Sequence, residues 1–194
     1  EIQQEEALAR TLSQWFAGEP PSVRSSHIVA SLPEEKSFLR LIQIPAVPLE
    51  ETANAVRWEI EGNIPVPPQD VYYDYEIIEP LEDRLDHRDV VITAFPKTVI
   101  DSYMRVFQAA GMRVSALELE SQAIIRATVP RLREKATRVI VEMGRLRTNF
   151  IVFAGAEIFF TRTVEMGGKM LEENIAHALG VGQPDAAELK KTVG

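Results

Sequence analysis

The sequence predicts a mixed α+β and α/β protein in two parts, an expectation carried by three observations. From His27 to Val129, short β-branched or aromatic runs alternate with stretches whose apolar residues recur every three or four positions. Between 137 and 177, three apolar runs separated by glycine turns lead into a helix opened by Gly167-Gly168. Between these parts lies PRLREKAT, Pro130 to Thr137, basic and polar, which makes it the best boundary in the chain.

Each element has its own reason. Glu1 to Phe16 is expected to be a helix with Ile2, Leu8, Leu12, Trp15 and Phe16 available for one face, closed by Gly18 and Pro20-Pro21. His27 to Leu32 and Phe38 to Ile44 read as strands stopped by Pro33 and Pro45. Pro48 then starts a helix at Leu49, in which Ala53, Val56, Ile60 and Ile64 share a face while Glu50, Glu51, Glu59 and Glu61 face water. Its acidic first turn suits the helix dipole, and Pro65, Pro67 and Pro68 end it. Val71 to Ile78 is a strand whose partner is Asp89 to Phe95, reached through the charged loop LEDRLDHR, a solvated connection. Lys97 to Ala110 is an amphipathic helix through Val99, Ile100, Tyr103, Met104, Val106 and Phe107, capped by Gly111. Arg113 to Leu117 is a strand and Glu120 to Val129 a helix. In the second part the strands centre on Val139 to Met143, Phe150 to Phe153 and Ile158 to Val164, and the helix presents Met170, Leu171, Ile175, Ala178 and Leu179.

Composition narrows the function. At 194 residues, 45% hydrophobic and 26% charged, the chain can bury a core. A formal net charge of −8 disfavours nucleic acid, whose binders cluster Lys and Arg. The absence of cysteine excludes disulfides and thiolate chemistry and fits a cytoplasmic setting. No apolar run reaches the roughly 20 residues of a membrane span, and no basic-then-apolar leader opens the given sequence. His27, His87 and His177 lack ligand-type spacing, so no metal is expected. The sequence contains no G-x-S-x-G, G-x-x-x-x-G-K-[ST] or H-E-x-x-H motif, so the enzyme classes built on them fall away.

One stretch bears on chemistry. An acidic residue ending a strand, then a glycine turn and a threonine, is a way to hold phosphate: bare backbone N–H groups approach anionic oxygens, a hydroxyl donates, and a carboxylate orients metal-bound water. Glu142, Gly144 and Thr148 stand in that order. The same residues also fit an ordinary antiparallel meander closed by a helix.

Four segments together resemble the type IV pilus assembly protein PilM family, actin-like relatives of the cell-division protein FtsA. They are SLPEEKSFLRLIQIP from Ser31, AVRWEIEGNIPVPPQDVYYDYEII from Ala55, VVITAFPKTVIDSYMRVFQAAGMRVSALELES from Val90, and the closing FFTRTVEMGGKMLEENIAHALG. In order and spacing they match this family better than FtsA itself, the cytoplasmic part of the type II secretion protein GspL, or a sugar kinase. The resemblance implies a partial actin-like (ribonuclease H-like) fold of the sugar-kinase and actin superfamily. Residues 1–130 would be a remnant of subdomain 1A with an inserted 1C subdomain at about 34–95, and 137–194 the start of 2A. It also implies a partner, the short cytoplasmic N-terminal peptide of a PilN-like inner-membrane protein docking between 1A and 1C, with the pilus motor ATPases further along. The chain would then sit in the cytoplasm, peripheral to a bacterial inner membrane.

The chain departs from the family in two respects. The glycine-rich phosphate turn that opens the family, subdomain 2B and the adenosine-binding segment have no counterpart, so an excised piece or a degenerate relative is expected. The remaining phosphate turn, normally Asp-Ile-Gly followed later by Thr-Asp, reads Glu142, Met143, Gly144, Arg145, Leu146, Arg147, Thr148, Asn149. Glu142 is a methylene longer than the usual aspartate, Asn149 has no charge, and Arg145 and Arg147 replace small residues. An interaction module without ATPase activity or its own cofactor is therefore expected, with Arg57, Trp58, Ile60, Ile64 and Pro65 as its partner surface. Core packing is the competing role for Trp58 and the isoleucines. A peptide pairing with a sheet edge would use Phe38 to Ile44 or Val71 to Ile78. The alternative is an actin-like protein binding ATP and Mg, an ATPase or filament former whose nucleotide site is completed by segments outside this chain. Homo-oligomerisation stays open.

Overall fold

The computed structural model describes residues 2, 4–20, 25, 27–78, 86–129, 136–155 and 157–193. The chain divides into two compact units, Glu1–Pro130 and Arg131–Gly194.

The first unit opens with α1, Glu5–Gly18. This helix buries Ala9 and half-buries Leu12 and Phe16, while Trp15, expected on the inner face, is 57% exposed. Seven positions separate Leu8 from Trp15, which places both on a stripe turned away from Ala9. The helix is held to a later one by Glu5, whose carboxylate accepts from Arg105 at 2.7 and 2.9 Å and from the Ser102 hydroxyl at 2.6 Å. Those donors, Arg105 first, hold the Glu5 carboxyl down at about 2.

Two sheets follow. β1, His27–Leu32, pairs in parallel with β5, Arg113–Leu119. Between them in sequence come β2 (Phe38–Pro45), α2 (Leu49–Asn63), β3 (Val71–Ile77), β4 (His87–Pro96) and α3 (Lys97–Ala109). The antiparallel order is β2-β4-β3, so the two outer strands are the two that the sequence offered for edge pairing. α2 closes one face of this sheet through Val56, Ile60 and Ile64 against Ile42, Ile44, Val71, Val90, Ile92 and Ala94. Ala53 is exposed; Thr52, one position earlier, is buried, and its hydroxyl donates to the Pro48 carbonyl. A second core joins Leu32, Phe95, Val99 and Leu119. Strand β4 feeds both cores, with Ala94 in one and Phe95 in the other. α4, Glu120–Thr128, completes the unit, and its Ser121 N–H donates to the buried Glu34 carboxylate at 3.3 Å. The charged loop LEDRLDHR and the polar stretch PRLREKAT lie mostly outside the described residues.

The second unit is an antiparallel meander, β6 (Thr137–Met143), β7 (Thr148–Ala154) and β8 (Glu157–Val164). Ile151, Phe153 and Ile158 are buried, while Val139, Val141, Met143 and Phe160 line the opposite face and are 52–60% exposed. α5, Gly168–Leu179, does not bury the expected stripe: Met170 and Leu171 are 43% and Leu179 62% exposed. The helix has a neighbour that the sequence did not announce. α6, Gln183–Thr192, packs against α5 and buries Ala186. Among the described residues no helix is long and apolar enough to cross a membrane.

Candidate functional site

The turn from Gly144 to Arg147 is bound tightly into its own unit. Gly144 N–H donates to the Arg147 carbonyl at 2.8 Å, and the first N–H groups of α5, from Gly168 and Lys169, donate to the carbonyls of Gly144 and Arg145 at 2.9 and 2.8 Å. The positive end of the α5 dipole therefore meets carbonyl oxygens of the turn. Gly167 makes this approach possible. A Cβ there would lie 2.7 Å from backbone atoms of Arg145 and Arg147, a clash no rotamer relieves.

The side chains around this turn are likewise engaged within the protein. Thr148 is buried, and its hydroxyl donates to the Met166 carbonyl at 2.6 Å. Asn149 bridges: its amide nitrogen donates to Glu142 at 2.9 Å and its oxygen accepts from Thr163 at 2.7 Å. Glu142 and Asn149 face each other across β6 and β7, so the carboxylate and the amide form a cross-strand pair.

Beside the turn lies an open groove of about 520 Å³ lined by Met143, Gly144, Arg145, Leu171, Glu172, Lys190 and Lys191, among others. Lys190 donates to Glu172 at 2.6 Å and reaches the Gly168 carbonyl at 3.4 Å. Lys190, by that hydrogen bond first, then Arg145 and Lys191 by charge, hold the Glu172 carboxyl below its ordinary range. Three cations around one carboxylate leave the groove electropositive in a chain of net charge −8. Lys190 and Lys191 were not foreseen because α6 has too few apolar residues to show a helical period, and Glu172, on the expected α5, had no partner to mark it until α6 was placed.

The five partner-surface candidates separate cleanly. Ile60 and Ile64, 0% and 4% exposed, belong to the core beneath α2, which is the packing role that competes with partner contact. Arg57 and Pro65 are exposed, and Trp58 is 75% exposed. The three reachable residues lie on or just beyond the outer side of α2, whose inner side seals the β2-β4-β3 sheet.

The comparisons agree with this architecture. The family model described as type IV pilus assembly protein PilM matches residues 1–194. A chain of the solved PilM–PilN type IV pilus biogenesis complex is 25% identical, with a TM-score of 0.79, over 98% of this chain and 57% of that one. The chain thus spans a little over half the length of that relative. MreB5 of Spiroplasma citri bound to ADP has a TM-score of 0.58 at 12% identity, covering 100% of this chain and 42% of that one. The cytoplasmic domain of EpsL, an inner-membrane component of the Vibrio cholerae type II secretion system, has a TM-score of 0.55 at 15% identity, covering 89% and 60%. The fold is actin-like.

Proposed function

The chain belongs to the type IV pilus assembly protein PilM family, and we propose that it serves there as an interaction module that holds the cytoplasmic segment of a PilN-like membrane partner, without turning over nucleotide. One observation carries the second half of this reading. Thr148, Glu142 and Asn149, the residues left of a phosphate turn, direct their polar atoms at Met166, Thr163 and one another. The first half is supported by likeness to a chain of a PilM–PilN complex and by an outer α2 surface whose Arg57, Trp58 and Pro65 are free of the core. In this reading residues 1–130 are a 1A remnant carrying 1C at about 34–95, residues 137–194 begin 2A, and the protein works at the cytoplasmic side of the inner membrane.

The test is titration of the whole chain with the N-terminal cytoplasmic peptide of the PilN-like protein from the same source. Saturable binding is expected, and no binding at millimolar peptide overturns the reading. A second reading, nucleotide binding, draws on the electropositive groove of Arg145, Lys190 and Lys191 beside Gly144. ATP with Mg would sit there with phosphates toward the turn. Calorimetric binding of Mg-ATP that disappears in Arg145→Ala/Lys191→Ala would establish it.

A further inference from the structure

Single exposed hydrophobic residues are ordinary, so Trp58 needs company before it means anything. It has company of two kinds. At 100° per residue, Glu51, Asn54, Glu61 and Gly62 fall within about 60° of Trp58 around α2, and all four are exposed. Gly62 is the first independent sign. Glycine destabilises a helix relative to alanine, yet a Cβ at Gly62 would touch nothing and its φ is not positive, so neither packing nor backbone geometry asks for glycine. A bare stretch of backbone beside an exposed indole is what a closely approaching chain requires.

Charge is the second sign. Glu51 and Glu61 lie on the same side of α2 as the indole, and neither carboxylate is taken up by an ion pair or hydrogen bond among the described residues. Glu59, by contrast, is occupied by Asn63 within the helix. Carboxylates bracketing an aromatic face favour a cation over that face, with the ring quadrupole and the acids acting together. They disfavour the other common use of an exposed tryptophan, insertion at a membrane surface, because an anionic leaflet would repel Glu50, Glu51 and Glu61.

We propose that the Trp58 face of α2 docks a short cationic and apolar segment of a protein partner, with a Lys or Arg over the indole between Glu51 and Glu61 and its backbone close to Gly62. This gives chemistry to the partner surface above and rests on that reading. The test uses the full chain carrying Trp15→Phe, so that Trp58 is the sole tryptophan. Its probes are the PilN-like N-terminal peptide, the same peptide with every Lys and Arg changed to Glu, and phosphatidylglycerol–phosphatidylcholine vesicles. The first peptide is expected to shift Trp58 emission, and calorimetry is expected to register at least tenfold weaker binding in Trp58→Ala and in Glu51→Lys/Glu61→Lys. The charge-reversed peptide is expected to prefer the double-lysine variant. Unchanged affinity in both variants overturns this inference and leaves the partner reading standing. Failure of the peptide to bind the unsubstituted chain overturns both, and vesicle binding abolished by Trp58→Ala without peptide binding assigns the face to a membrane instead.

Discussion

Strands β2, β4 and β3 carry α2 over one face, whereas β6, β7 and β8 leave Val139, Val141, Met143 and Phe160 exposed along one of theirs. Both sheets are three-stranded and antiparallel, so the difference lies in what happens to side chains. In the first, apolar groups are committed to a closed core, and what remains outside α2 is not needed by the fold. In the second, the polar groups around the turn are committed internally while apolar area stays uncovered. A bare apolar face is a surface still available for contact. A turn whose hydroxyl and carboxylate already have partners is less available to a ligand than its sequence suggests.

The sharpest way to break the contrast is to open the closed core. Ile60→Ala is expected to cost about 4 kcal/mol, since Ile60 is fully buried between helix and sheet. Both tryptophans, Trp15 and Trp58, lie in the first unit, so a fall in the urea midpoint followed by their emission reports this loss, while hydrogen exchange of β7 amides follows the second unit. Next comes Gly167→Ala, where the added methyl meets backbone at 2.7 Å. It should cost about 3 kcal/mol and appear as early loss of hydrogen-exchange protection in α5 with the first unit unaffected.

Thr148→Ala removes the hydroxyl that donates to Met166 and should cost about 1 kcal/mol in thermal unfolding of the second unit. Unchanged stability there would return the hydroxyl to the candidates for ligand contact. The smallest effect concerns α1. The Glu5 carboxyl is held at about 2 against an ordinary 4.5, so its ionised contacts contribute fully above pH 4.5 and are lost as pH falls toward 2. Amide protection of α1 should decline over that window, and Glu5→Gln should flatten the decline.

The elements were legible where a period and a stop signal coincided. Val56, Ile60 and Ile64, started by Pro48 and ended by Pro65, gave α2, although Thr52 took the buried place expected of Ala53 because the buried row runs at a constant spacing of four from Thr52 through Val56 and Ile60 to Ile64. β-branched runs between prolines and glycines gave the strands, and the hairpin partner of Val71 to Ile78 was readable from adjacency. That β4 also pairs with β2, placing it centrally, was not, since register between distant strands leaves no local mark. α6 escaped because QPDAAELKKT contains too little apolar repetition. The buried Glu34 escaped for a different reason: a carboxylate is expected outside, and its partner, the Ser121 N–H, lies far away in sequence. At the site, Glu142, Gly144 and Thr148 were found by motif, and what the motif lacked was the identity of their partners, Asn149 for Glu142 and the Met166 carbonyl for Thr148, supplied by the facing strand and the residue before Gly167. Of the surface candidates, composition alone does not tell a tryptophan facing water from isoleucines facing a sheet when all lie within seven positions of one helix.

Strand β4 runs without a break from His87 to Pro96, contributing Val90, Ile92 and Ala94 to one core and Phe95 to the next. It is a splint. Its last residues wall the core that also holds Val99 at the start of α3, so any displacement of the small sheet has to be met by repacking there. The inserted sheet is thereby coupled to its host as a lever is to its axle, and cutting it out as a separate domain would remove a wall from the core it leaves behind.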